Sequence, residues 1–236
     1  RWYALSWAAG YLAMWVYLRA RARRGALPLD VPAVEAAMAW SVVAIAVGGR
    51  LGAAIFYYPG YFLAHPLELP VLWKGGMSVH GAMVALFLLA FVVARRHRTT
   101  MLAITDVFAV PLSLAQALGR LGNFANGELY GAPTALPWGI VFPKAGDGVP
   151  RHPAQLYEAL YDLVLWVVLF RLRDARLGEG MRTGIWALGY GVARLALDAL
   201  RDTPPALGPF STAQLLTLPM PIVGMWLVVR GRRRSS

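Results

Sequence analysis

The groups best equipped for chemistry are Arg120, Asn123, Asn126 and Glu128, within Gly-Arg-Leu-Gly-Asn-Phe-Ala-Asn-Gly-Glu-Leu-Tyr-Gly from Gly119 to Gly131. They follow an apolar run, Val107 to Leu118. At a bilayer boundary a cation, two amides and a carboxylate persist only with partners, and they mark a ligand or ion site. The plainer reading is a helix end with its cap and an Asn126-Gly127 turn. It leaves the arginine, one turn inside the helix, unexplained. A second group lies at Tyr190, Arg194, Asp198 and Arg201, spaced by four, four and three residues and so aligned along one side of a helix. Guanidinium binds phosphate in two-point fashion and stays cationic when partly desolvated, so phospholipid headgroups are the anions this combination suits. The competing account is an internal Arg194–Asp198 ion pair that locks helices together. His80, in Gly-Gly-Met-Ser-Val-His-Gly-Ala, is either a proton-transfer group or a hydrogen-bonded wall residue at a helix start.

The elements that must position these residues are read from composition. The 236 residues are 58% hydrophobic and only 15% charged, against about 25% charged in soluble domains. Mean hydropathy is +0.51. These values predict an all-α, multi-spanning membrane protein. Cysteine is absent, which excludes a disulfide framework, a thiolate metal site and a cysteine nucleophile. Any thiol chemistry must use a substrate's thiol. No metal-ligand spacing such as His-Glu-x-x-His occurs, and neither a metal nor a cofactor is expected.

The net charge of +11 is gathered at Arg19/Arg21/Arg23/Arg24, Arg95/Arg96/Arg98, Arg171/Arg173/Arg176/Arg182 and Arg230/Arg232/Arg233/Arg234, each beside a hydrophobic run. That is the positive-inside pattern, and it argues against nucleic acid as the partner.

Seven transmembrane helices are predicted, at about Trp2 to Leu18, Ala33 to Tyr58, Val79 to Ala94, Leu102 to Leu121, Ala154 to Phe170, Thr183 to Leu200 and Ser211 to Val229. The basic clusters put the amino terminus outside and the carboxyl terminus in the cytoplasm. The expected organisation is one integral-membrane domain over residues 1–236 with an external arm at 130–153, a Pro/Gly-rich segment too irregular for lipid. In this arrangement His80, Arg120 to Glu128, and His152, Gln155, Tyr157 and Glu158 converge at the outer face. The stripe of the sixth span climbs toward them. Arg50 and Tyr3 are further candidates for the wall of an outward-facing, arginine-lined chamber. His152 is expected to position rather than catalyse, and His65 and His97 are given no role.

Arg120 to Gly131 closely resembles the signature of the bacterial prolipoprotein diacylglyceryl transferases. The similarity extends to Gly75 to Gly81, Arg151 to Glu158, Tyr190 to Arg194, Gly49 to Gly52, Trp2-Tyr3, Gln214 and Pro219-Met220. It implies transfer of the diacylglyceryl group of phosphatidylglycerol to the thiol of a prolipoprotein's lipobox cysteine, with release of glycerol phosphate. It further implies a bacterial cytoplasmic (inner) membrane location with the site toward the periplasm. Carried over by position, Arg120 and Arg194 are the essential arginines, and Asn123, Glu128, Gly131, Tyr190, His80 and Tyr3 are the other functional positions. Arg120, Asn123, Arg194, Asn126, Gly131, Asp198 and Arg201 are the expected phospholipid-binding set, and His80 is the candidate base. Asp198 departs from the family pattern, which has glutamate there. Lys74, Ala82, Arg1 and Ala4 also depart, and the arm is shorter than in longer relatives. A lipid transporter or scramblase would use the same outward cavity but needs a polar path to the cytoplasmic side, where the spans are apolar apart from Asp106 and the clusters. A rhomboid-type protease needs a Gly-x-Ser-Gly turn, and Gly76-Met77-Ser78-Val79 lacks its final glycine.

Overall fold

Long apolar runs closed by caps, prolines and basic clusters become helices here. The computed structural model describes residues 2–71, 76–201, 205–207 and 210–235. Arg1, Lys74, Gly75 and the side chains of His80 and Arg234 lie outside the described residues. In chain order the helices are α1 (Trp2–Arg23), α2 (Val31–Phe56), α3 (Pro59–Ala64), α4 (Val79–Arg96), α5 (Met101–Ala125), α6 (Ala154–Arg171), α7 (Met181–Asp198), α8 (Thr212–Thr217) and α9 (Pro219–Ser235). Two antiparallel ribbons interrupt them, β1 (Ile140–Val141) with β2 (Pro150–Arg151), and β3 (Pro205–Leu207) with β4 (Phe210–Ser211). Among the described residues, α2 and α5 are long and apolar enough to cross a bilayer by length and composition.

Backbone contacts divide the chain into two units, Leu18–Ile104 and the pair of segments Arg1–Tyr17 and Thr105–Ser236. In the smaller unit, Asp30 caps α2 by accepting from the Ala33 N–H at 2.9 Å. Ser78 caps α4 by accepting from the Gly81 N–H, while its own N–H donates to the Gly49 carbonyl at 2.7 Å. The two helices approach through small residues. A Cβ on Gly81 would collide with the Gly48 carbonyl and with the Gly52 backbone. Close approach of this kind is how helices associate where lipid removes the hydrophobic drive between them.

In the larger unit the same device seats α1 against α5. A side chain on Gly119 would lie 2.8 Å from the Trp7 ring, and one on Gly122 would strike the Ser6 hydroxyl. These glycines are therefore packing positions and do not end the helix. The expected end near Leu121 is a turn too early. α5 continues to Ala125, so Asn123 as well as Arg120 projects from helical backbone. The last expected span is also interrupted: Ser211 and Gln214 form a reciprocal capping box on α8, and Pro219 starts α9.

Each unit exposes apolar side chains, and the larger one also buries charged side chains in its interior. Trp40, Val43, Val47 and Leu51 on α2, and Ile222, Trp226 and Val229 on α9, are exposed, whereas Gln155, Glu158 and Asp162 on α6 are fully buried. Exposed apolar residues on each unit, and charged groups buried within the larger one, suit a lipid surround.

The α7–α9 contact carries the helix that bears Arg194. A Cβ on Gly224 would meet the Leu188 amide and lie 2.8 Å from the Gly184 carbonyl. Gly224→Val is expected to cost about 1–3 kcal/mol through overpacking, read as a lowered Tm of detergent-purified protein. An unchanged Tm would contradict this account of how α7 is placed.

Candidate active site

Glu158, one turn into α6, is fully buried, and three guanidinium groups converge on its carboxylate. Arg194 from α7 donates through Nη1 to Oε1 at 2.5 Å, and Arg201, just beyond α7, donates through Nη2 to the same oxygen at 2.8 Å. Arg120 from α5 places Nε 3.0 Å from Oε2. Arg194 also reaches Asp198, Nη2 to Oδ1 at 3.5 Å, one turn along its own helix. Asp162, one turn after Glu158, is equally buried, and neither of its oxygens has a hydrogen-bond partner among the described residues. An isolated buried carboxylate or guanidinium costs several kcal/mol, and mutual pairing is what makes this concentration of charge tolerable. The side chain of Arg120 is 21% exposed against 12% for Arg194 and 9% for Arg201, so Arg120 is the member most open to an incoming anion.

The helices that bring these groups together are held in register at their other ends. Asp106, near the start of α5, accepts from the Gly180 N–H at 2.9 Å and from both the amide and hydroxyl of Thr183 at 2.7 Å. It therefore caps α7 from a neighbouring helix. Arg182 donates through Nη2 to the carbonyls of Leu172, Arg173 and Ala175 at the end of α6. Asp106 and Arg120 are separated by 14 residues, about 21 Å of helix. Between these ends Trp186 donates to Gln116, and Val110, Leu165 and Leu169 form an apolar core packed by Trp186 and Tyr190.

Beyond Arg120, α5 delivers Asn123 one turn on and then turns sharply. Gly127 takes the left-handed conformation at φ +62°, and Leu129 takes it too at φ +61°. For a leucine this costs roughly 1–2 kcal/mol, and strain of this kind gathers at functional loops. The turn is pinned from inside: buried Gln155 donates to the Glu128 carbonyl at 2.6 Å, and the Glu128 N–H donates to the Asn123 carbonyl. Gly131 has no room for a side chain, since a Cβ would lie 2.7 Å from both His152 and the Leu200 carbonyl.

The turn faces a cleft of about 640 Å³ lined by Tyr3, Asn123, Gly127, Glu128, Leu129, Tyr130 and Lys144. Lys144 bonds Glu128 at 2.7 Å across it. That bond, more than any other contact, holds the Glu128 carboxyl below the usual carboxylate range. The contact contributes stability above the ordinary glutamate range and loses it as pH falls through the lowered folded value.

The structure unites most of the expected residues and reassigns some. Arg120, Arg194, Asp198 and Arg201 share one network. Tyr190 stacks on Trp186 beside it, and Tyr3, Asn123 and Glu128 share the cleft. Asn126 lies at the end of α5, its N–H donating to Gly122. His152 approaches the Tyr157 hydroxyl at 3.3 Å, and Tyr157 accepts from Trp138 at 2.8 Å, so both brace the arm. Arg50 directs its guanidinium to the Glu68, Leu69 and Gly76 carbonyls and over the Phe62 ring, binding the loop of its own unit. The guanidiniums of Arg120, Arg194 and Arg201, expected to line an outward-facing chamber, are paired with carboxylates, as the internal ion-pair account of Arg194 and Asp198 anticipates in part. Asp198 adds an unforeseen contact, accepting from the Ser211 hydroxyl at 2.6 Å where α8 begins. Sequence reasoning placed Glu158 near the site without seeing it as the common partner, and it missed Asp162. Their i, i+4 spacing inside an otherwise apolar helix was the available signal.

A helical membrane protein with a buried arginine–carboxylate cluster beside an open cleft is the class that these features define. The model of the family described as prolipoprotein diacylglyceryl transferase matches residues 1–230. A phosphatidylglycerol–prolipoprotein diacylglyceryl transferase of Zymomonas mobilis is 39% identical over 242 residues, covering 99% of this chain and 84% of the relative. Proteins of the same name from Cupriavidus metallidurans and Geobacter sulfurreducens are 37% and 38% identical, each over the whole of this chain, covering 90% and 92% of their own lengths. The chain belongs to the prolipoprotein diacylglyceryl transferase family, and it is a transferase.

Glu158→Gln removes the charge that the three arginines share. It is expected to destabilise the protein by about 3–5 kcal/mol, as when one partner of a buried pair is lost. Thermal unfolding in detergent measures this, and an unaltered Tm would mean that Glu158 is not the common counter-charge.

Proposed function

We propose that this chain transfers the diacylglyceryl group of phosphatidylglycerol to the lipobox cysteine of prolipoproteins. The cysteine sulfur attacks the glyceryl carbon that bears the phosphate ester, a C–S bond forms, the C–O bond breaks, and glycerol phosphate leaves. The thiol proton is released in the same transfer. Because the phosphodiester carries one negative charge and the departing monoester gains a second, the barrier falls where fixed cations meet the developing charge.

The observation carrying this reading is that Arg120 and Arg194, from separate helices, reach one carboxylate in a single cluster, with Arg120 the more open of the two. Arg120 pairs with Glu158 through Nε, which leaves its terminal nitrogens for the phosphate. Arg194 is the second cation, and Glu158 holds both in place. Asn123, Glu128 and Tyr3 receive the glycerol end of the headgroup in the cleft. His80 is kept as candidate base on its resemblance to the family position. A thiol beside guanidinium groups also ionises more readily without one.

In the same reading the protein crosses the bacterial inner membrane seven times. Its amino terminus is outside, its carboxyl terminus is cytoplasmic, and residues 130–153 and the site face the periplasm. The positive-inside distribution of arginine supports this orientation.

The test supplies purified protein with phosphatidylglycerol and a lipobox peptide. The peptide's mass should rise by one diacylglyceryl group, with equimolar glycerol phosphate, and its Cys→Ser variant should remain unmodified. No mass gain on the cysteine peptide, or equal gain on both, would refute the assignment.

A further inference from the structure

Lys144 is not needed to hold the arginine cluster together, yet it stands in the cleft next to the groups that would meet a lipid headgroup. It sits in the short 3-10 turn Pro143–Ala145 between β1 and β2, closed by Gly146 at φ +73°. That turn carries its Nζ to within 2.7 Å of Glu128 Oε1. Their side chains are 54% and 42% exposed, so the contact is weak as a structural strut. Both residues line the same cleft as Tyr3 and Asn123. Asn123 follows Arg120 by one helical turn, roughly 4.5–6 Å along α5.

We propose that Lys144 makes the cleft select a neutral, hydroxylated headgroup over an ammonium-bearing one. This rests on the reading that the lipid phosphate lies at Arg120. A headgroup extending from that phosphate reaches Asn123 and Glu128. Left alone, the Glu128 carboxylate would attract the ammonium of an ethanolamine headgroup as readily as it accepts hydrogen bonds from a glycerol diol. Lys144 occupies Oε1 and adds a like charge that repels an ammonium. The Asn126 side chain also hydrogen-bonds Glu128, and the Asn123 amide and the Tyr3 hydroxyl line the cleft as neutral-headgroup partners. Selectivity thus comes from a repulsive element together with the hydrogen bonds to the diol.

The experiment compares short-chain phosphatidylglycerol with phosphatidylethanolamine, both as diacylglyceryl donors and as bound ligands of the detergent-purified protein. Lys144→Ala is expected to raise the ethanolamine-to-glycerol ratio roughly fivefold, the equivalent of about 1 kcal/mol for a half-exposed charge. Lys144→Glu should raise it further, and Lys144→Arg should keep the wild-type ratio. An unaltered ratio in Lys144→Ala, with transfer intact, overturns the proposal and leaves Lys144 as an arm contact. An equal fall with both lipids does the same and points to general attraction of phosphate. Selective binding that is lost in Lys144→Ala, without transfer by any form, supports the selectivity and refutes the assigned reaction.

Discussion

A fully buried carboxylate shared by three guanidinium groups is the constraint on which the larger unit is built. Glu158 lies where α5, α6 and α7 contribute charges from different parts of the chain, and none of these charges is affordable in a low-dielectric interior by itself. The geometry of the remainder follows from meeting that condition. Glycines at 119 and 122 let α1 close on α5 and bring Tyr3 to the cleft. Asp106 and Arg182 tie the far ends of the same helices, so that rotation or sliding of α7 would break contacts at both ends.

On the proposed reaction, the same arrangement lets the cluster be cationic toward a substrate and nearly neutral at rest. Arg120, Arg194 and Arg201 are opposed by Glu158 and Asp198, with Asp162 buried one turn away. In the proposed reaction, a phosphate entering beside Arg120 meets donors whose orientation is already fixed by Glu158. Little reorganisation then opposes the build-up of charge on the leaving group. On that proposal the cluster provides preorganisation as well as charge, and its carboxylates belong to the proposed machinery as much as its arginines do.

Much of this was legible in the sequence for physical reasons. The apolar runs found helices because length and hydropathy leave few other structures in lipid, and the four-residue spacing of Tyr190, Arg194 and Asp198 gave a face because helical geometry fixes it, with Arg201 lying just beyond the end of α7. What the sequence could not give was partner choice. The Arg194–Asp198 pair is local and was foreseen, whereas Glu158 is 36 residues from Arg194 and 38 from Arg120 in a different helix, beyond any periodicity. The end of α5 was misread for a related cause. Gly119 and Gly122 lie inside the helix, against Trp7 and Ser6 of α1. Arg50 shows the converse, since its chemistry alone suggested a place in the wall of the chamber and its carbonyl partners make it a loop clamp.

The most direct measurement is an experimental structure with a short-chain phosphatidylglycerol bound. The account predicts phosphate oxygens at about 3 Å from nitrogens of both Arg120 and Arg194, with Glu158 still holding at least one of the two. A headgroup bound elsewhere, with both guanidiniums still engaged only by carboxylates, would contradict it.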